Sequence, residues 1–168
     1  MEKVIETKRM YLRRFSLDDA VAYAKAYSDV TVMKFIGDGT WVRPAEEVHE
    51  VIAEYQKTYV SHPDLGYWAI IDRDSDQLIG DAGLSPLIQT GEIEVGYLLR
   101  KDFWGKGLAT ELVGALLKHA IESLGIAQVV AVIDPRNLNS IAVVKKCGMR
   151  EGEPGVYHNR DSLKYLFP

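Results

Sequence analysis

Residues 94–99 read Glu94-Val95-Gly96-Tyr97-Leu98-Leu99, and residues 104–110 read Trp104-Gly105-Lys106-Gly107-Leu108-Ala109-Thr110. Counted from Glu92, the first block alternates. Ile93, Val95, Tyr97 and Leu99 fall on one face, and Glu92, Glu94, Gly96 and Leu98 on the other, which is the period of a strand. The second block puts two glycines where a loop, Arg100 to Lys106, turns into a long helix, about Gly107 to Leu124. Leu108, Leu112, Leu116, Leu117, Ala120, Ile121 and Leu124 form its apolar stripe, and Gly125 stops it. Glycines let the backbone approach a ligand closely, and a helix N-terminus offers free N–H groups and a favourable dipole to an anion. Lys106 adds charge and Thr110 a hydroxyl. The block suits a pyrophosphate, although a plain loop joining strand to helix would also explain it.

Two other phosphate motifs fail on the same residues. A Walker loop needs Ser or Thr after Gly-Lys, whereas the order here is Lys106-Gly107-Leu108. A dinucleotide fingerprint needs a third glycine where Thr110 stands and a strand running directly into Gly105. Asp134 does end a predicted strand as a ribose-binding acid would, so a nucleotide-binding domain stays as a weak rival.

Elements alternate outward from this centre. Arg9 to Phe15 reads as a strand, and Ser16 caps a helix reaching about Tyr27. Residues 30–36 read as a short helix broken by Gly37-Asp38-Gly39. Pro44 opens an amphipathic helix with Val48, Val51, Ile52, Tyr55 and Tyr59 on one side and Glu46, Glu47, Glu50 and Glu54 on the other. Tyr67 to Asp72 and Leu78 to Leu84 read as a hairpin. Val129 to Ile133 is a strand, Asn137 to Cys147 a helix ended by Gly148, and Met149 to Tyr157 and Asp161 to Phe167 are two closing strands. Interleaved helices and strands predict one mixed α/β domain over residues 1–168.

The chain has 168 residues, 47% of them hydrophobic and 26% charged, with a net charge of -4 and one cysteine, Cys147. That size buries a core without metal or disulfide. There is no basic stripe for nucleic acid, no apolar run long enough for a membrane span, and no signal-peptide pattern in residues 1–6. The expectation is a cytoplasmic protein with no nucleic-acid or membrane partner. His49, His62, His119 and His158 show no metal-ligand spacing. Cys147 reads as a small core residue, and Trp41, Trp68 and Trp104 as core or cleft wall.

The two opening blocks, Asp134-Pro135-Arg136-Asn137-Leu138-Asn139-Ser140 and Lys146-Cys147-Gly148-Met149 together resemble the GNAT superfamily of acetyltransferases. Within it the chain is most similar to the ribosomal-protein N-terminal acetyltransferase branch, whose first strand resembles Thr7 to Arg13. The blocks keep the family's order over nearly the whole chain. The resemblance implies the GNAT fold: a central mixed, mostly antiparallel twisted sheet of about six to seven strands, flanked by helices and splayed at the CoA-binding strand. It implies acetyl-CoA as cosubstrate, no metal, and an amine acceptor that is either a protein N-terminus or a small molecule. A homodimer is implied by the resemblance alone.

The resemblance also assigns roles. Main-chain groups of Tyr97, Leu98 and Leu99 would hold the pantetheine arm. Trp104, Gly105, Lys106, Gly107, Leu108, Ala109 and Thr110 would cradle the pyrophosphate, and Asn137 and Ser140 would lie beside the CoA chain. Asp102 stands where the family pattern often has Gln or Arg, which argues against a phosphate contact from that side chain. Direct transfer needs a proton acceptor for the amine and a donor for the thiolate. Glu94 is the candidate base, against a solvated carboxylate, with His158 in reserve. Ser140 is the candidate acid, against simple helix capping, and Tyr157 is its rival. The acceptor pocket is expected from the first helices and residues 55–63. The acidic face at Glu46, Glu47, Glu50 and Glu54 reads as solvated or as an attractor of a cationic amine. A CoA-binding sensor or scaffold without catalysis is the reading from another class.

Overall fold

The computed structural model describes residues 2–168. Nine strands form one open sheet in the order β1-β2-β3-β4-β5-β6-β9-β7, with β8 paired to β9 alone. They are β1 (Lys3–Glu6), β2 (Met10–Arg13), β3 (Gly66–Asp72), β4 (Leu78–Pro86), β5 (Ile93–Leu99), β6 (Val129–Ile133), β7 (Arg150–Glu151), β8 (Gly155–Tyr157) and β9 (Arg160–Phe167). All pairings are antiparallel except β5 with β6. The class agrees with the sequence reading, but the count of six to seven was low. β1 is a four-residue edge strand too short to show a period. The expected strand Met149 to Tyr157 is two strands, because Glu153-Pro154 interrupts it and proline has no N–H for a ladder.

Helices cover both faces. Alternation along β3 sends Trp68 and Ile70 to one side and Ala69 and Ile71 to the other. On the first side they meet α4 (Leu108–Lys118) through Leu108, Leu112, Val113, Leu116 and Leu117. On the second they meet α1 (Ala20–Tyr27) and α3 (Val48–Ser61) through Tyr23, Tyr27, Val48 and Ile52. A sheet covered twice needs apolar residues on both faces, which is why β3 reads as a continuous apolar run. Between α1 and α3 lies the short α2 (Val30–Met33), capped by the Asp29 side chain. The helix expected to Leu124 changes hand-hold at His119: residues His119–Ser123 form one wider π-turn, and Gly125 at φ 66° ends it. The last helix, α5 (Leu138–Lys146), is capped by Asn137, whose side chain accepts from the Ser140 N–H at 3.2 Å.

One irregularity positions the site. β4 and β5 stay paired from Gly80–Leu99 to Pro86–Ile93. β5 and β6 pair only at Ile93–Val129 and Glu94–Val130. Beyond Glu94 they diverge, leaving a wedge with Tyr97, Leu98 and Leu99 on one wall.

Candidate active site

Two cavities open at the divergence, of about 540 Å³ and 380 Å³. Their shared wall includes Tyr97, Leu98, Asn137 and Ser140.

The smaller cavity runs to the start of α4. Trp104, Gly105, Gly107, Leu108, Ala109 and Thr110 line it, with Asn139 and Lys146 from α5. Gly105 and Gly107 both have φ 73°, the left-handed region that favours glycine. A Cβ on Gly105 would meet nothing within 4 Å, and one on Gly107 only an Arg9 nitrogen at 3.7 Å, so the backbone lies open to a ligand. No side chain caps α4, which leaves its first N–H groups available to an anion. Arg9 ties this end to the sheet. Its backbone N–H and Nε donate to the Glu111 carboxylate at 2.8 and 2.7 Å, and its Nη1 donates to the Lys106 carbonyl at 2.7 Å. Sequence reading missed Arg9, because its partner lies 102 residues away. The expected members of this cradle fall here except Lys106, whose ammonium sits over the Phe103 ring at 4.8 Å. Asp102 pairs with Arg100 at 2.6 Å and is outside the lining. The Leu99 carbonyl is also taken, by the Trp104 indole N–H at 2.7 Å, which leaves it less free for a cosubstrate than expected. The cradle fits the pyrophosphate of CoA: open glycines, a free helix N-terminus and the Thr110 hydroxyl.

The larger cavity holds the titratable groups. Glu94 is 7% exposed and its Oε2 meets His158 Nε2 at 2.9 Å. The Glu94 carboxylate raises the His158 pKa above its ordinary value, against the opposing effect of burial. His158 and Asn159, at φ 50° and 58°, form the tight turn between β8 and β9 and aim the imidazole at Glu94. Tyr97 Oη lies 3.0 Å from Ser140 Oγ, and burial raises the Tyr97 pKa, so the phenol keeps its proton. Tyr157 lines the larger cavity but packs with Leu87 and Val130, while Tyr97 takes the place beside Ser140. Asp134 is engaged by Arg136 at 2.7 Å and Arg160 at 3.0 Å and held down at a pKa of about 2. It has no spare oxygen to serve as a ribose acid, and the antiparallel sheet is not that of a dinucleotide fold.

Loop 34–44 forms the outer wall. Trp41 lies against Gly37 and stands 6.4 Å from the His158 ring, and Arg160 bonds the Lys34 carbonyl. The cavity takes Tyr27 from α1 and Val51, Glu54 and Tyr55 from α3, and nothing from residues 56–63. Of the regions expected to hold the acceptor, the first helices give this cavity Tyr27 and residues 55–63 give it Tyr55 alone. Glu46 and Glu50 are exposed, Glu47 is half-buried, and none of the three lines either cavity. Cys147 is half-buried, its thiol facing the Thr110 carbonyl at 3.4 Å. Among the described residues no cluster of His, Cys, Asp and Glu is placed to hold a metal, and no helix is long and apolar enough to cross a membrane.

An open sheet splayed beside a glycine-headed helix, with a carboxylate in the adjoining cleft, defines a CoA-dependent acyltransferase architecture. The acetyltransferase (GNAT) domain matches residues 9–150. The uncharacterized N-acetyltransferase YnaD of Bacillus subtilis (strain 168) is 30% identical over 146 residues, 87% of this chain and 82% of the relative. An acetyltransferase structure from Agrobacterium tumefaciens str. C58 superposes with TM-score 0.81 at 24% identity, covering 100% of this chain and 95% of that one. The ribosomal L7/L12 alpha-N-protein acetyltransferase RimL, in complex with coenzyme A, superposes with TM-score 0.80 at 15% identity over 99% and 97% of the two chains. The chain belongs to the GNAT acetyltransferase family. It is an acyl-CoA-dependent N-acetyltransferase, moving an acetyl group from acetyl-CoA to an amine.

Proposed function

We propose that the larger cavity binds the amine, the smaller one acetyl-CoA, and that transfer is direct, with no covalent acyl-enzyme. The observation that carries this reading is the common wall, where Leu98, Tyr97 and Ser140 border both cavities. When bound, acetyl-CoA supplies a thioester-activated acetyl group. Main-chain groups of Tyr97 and Leu98 border the widening wedge and are the candidates to hold the pantetheine and polarise the carbonyl. Holding both reactants in one cleft supplies much of the rate.

Glu94 takes the proton the amine must lose. It is buried, it faces the larger cavity, and His158 occupies only its Oε2. Ser140 gives a proton to the departing sulfur, held in place by the Tyr97 hydroxyl at 3.0 Å, and regains one from solvent. Tyr157 remains the alternative donor. The likeness to RimL, an alpha-N-protein acetyltransferase, makes a protein N-terminus one acceptor class for this chain, and small amines are the other.

Thiol release from acetyl-CoA over a panel of amines and N-terminal peptides tests the reading. Release with one class, lost in Glu94→Gln and weakened in Ser140→Ala more than in Tyr157→Phe, supports it. A rise in melting temperature with acetyl-CoA but no release with any acceptor would leave a CoA-binding sensor instead.

A further inference from the structure

Asp81 lies in the middle of β4, opposite Leu98, and is 2% exposed. The other buried carboxylates among the described residues each have a cation: Asp19 has Arg13, Glu94 has His158, and Asp134 has Arg136 and Arg160. Asp81 has none. Its neighbours are phenols. The Tyr23 hydroxyl donates to Oδ2, as does Tyr55 at 3.2 Å, while Oδ1 takes no side-chain hydrogen bond. Its charge is felt by Tyr23 and Tyr27 of α1, Tyr55 and Tyr59 of α3, and Tyr67 of β3. Burial lifts its pKa to about 7. A buried carboxylate without a cation is destabilising, and an apolar residue would serve packing better. Asp81 is nevertheless kept on the floor of the larger cavity.

The floor around it suits a positive group. Tyr27, Tyr55, Tyr67 and Trp41 line the same cavity, and aromatic faces attract ammonium ions. Tyr67 lies across Gly96, where a Cβ would come 2.6 Å from its hydroxyl. The cations at this cavity have carboxylate partners already: His158 with Glu94 at 2.9 Å, Arg160 with Asp134 at 3.0 Å, and Arg43 with Glu47 at 3.7 Å. Register puts Asp81 and Glu94 on one face of the sheet, with Ser85 opposite Glu94. Four residues along β4 separate the two levels, about 13 Å at the usual strand rise.

We propose that Asp81, framed by Tyr55 and Tyr67, is a cation subsite, and that the acceptor is an aliphatic di- or polyamine. Its second ammonium rests at Asp81 while its other amine reacts at the Glu94 end. This rests on the acetyl-transfer reading above for the reacting end only.

Transfer kinetics would be compared for 1,4-diaminobutane, 1,5-diaminopentane and spermidine against n-butylamine and n-pentylamine. Calorimetric binding of the same amines to the protein without acetyl-CoA would be measured alongside. The wild type should favour the polyvalent amines by about tenfold or more in kcat/KM, the worth of one charge-assisted hydrogen bond. Asp81→Asn should bring that ratio toward one. A ratio near one in the wild type, or an equal loss for both amine classes in the variant, overturns the subsite. If Asp81→Asn does not fold, the wild type decides alone: its preference must rise between pH 6 and pH 8 as Asp81 ionises, and a flat ratio counts against the proposal. If no amine or peptide releases thiol, the transfer reading fails. Diamine binding that is stronger than monoamine binding would then still uphold the subsite, and equal or absent binding would sink it too. Release with monoamines or peptides alone sinks the subsite and leaves the transfer reading intact.

Discussion

Glu94 and Asp81 hang from neighbouring strands on one sheet face, Glu94 beside an imidazole and Asp81 beside two phenols. Glu94 faces an imidazole, so the pair is stabilised as carboxylate and imidazolium. His158 has its pKa raised above 6.5 by Glu94. The pair's stabilisation is therefore complete below pH 6.5 and is lost as pH rises through the raised value. Glu94→Gln should lower kcat by about a hundredfold or more, the range for loss of a general base, while acetyl-CoA still raises the melting temperature. His158→Asn should shift the acidic limb of the pH–rate profile, which a purely structural histidine would not do. Asp81 behaves oppositely to a paired carboxylate. Its folded pKa of about 7 exceeds the unfolded value near 3.8, so the native state binds the extra proton. Wild-type stability should fall as pH rises from about 4 to about 7, and Asp81→Asn should flatten that slope in urea titrations across the range. Glu94 was legible in the sequence because a polar residue stood on the polar side of an alternating strand. Asp81 was not, because it interrupts an apolar strand and its hydroxyl donors lie 58 and 26 residues away.

At the scale of elements, β5, the glycine loop and α4 act as one unit that Arg9 fastens to the β2 end of the sheet. The loop itself was legible: glycines with positive φ leave a strong mark in sequence. The fastening was not, since a single Arg before a strand has no distinctive pattern. Arg9→Ala should raise the KM for acetyl-CoA about fivefold, the effect of losing an ion pair of about 1 kcal/mol. The KM for the amine should change little, and steady-state kinetics with each substrate varied would show the split. Gly107→Ala should act on the same parameter more strongly, because an alanine at φ 73° is strained by about 1–2 kcal/mol. The closing strands were harder to read. Pro154 divides the first of them into β7 and β8, and the turn after β8 carries His158 to Glu94.

Over the whole molecule, two helical layers clamp a sheet that is continuous from β1 to β5 and nearly severed between β5 and β6. The layers were legible from apolar periodicity. The severance was not, because β5 and β6 each look like ordinary strands and only their two-pair register reveals it. Cosubstrate bound there would bridge the halves. Acetyl-CoA should therefore raise the melting temperature and slow amide exchange along β5, β6 and the first turn of α4, while β2 and β3 change little.

The shared wall of Tyr97, Leu98, Asn137 and Ser140 has a further consequence for chemical probes of this protein. If the two adjoining chambers take amine and cosubstrate as proposed, they invite a single bivalent occupant. A conjugate joining an amine to the sulfur of CoA through a short bridge would anchor one half and present the other at a millimolar effective concentration. It should outbind either half by about a hundredfold or more, and the bridge length of the tightest conjugate would serve as a ruler for the gap between the chambers.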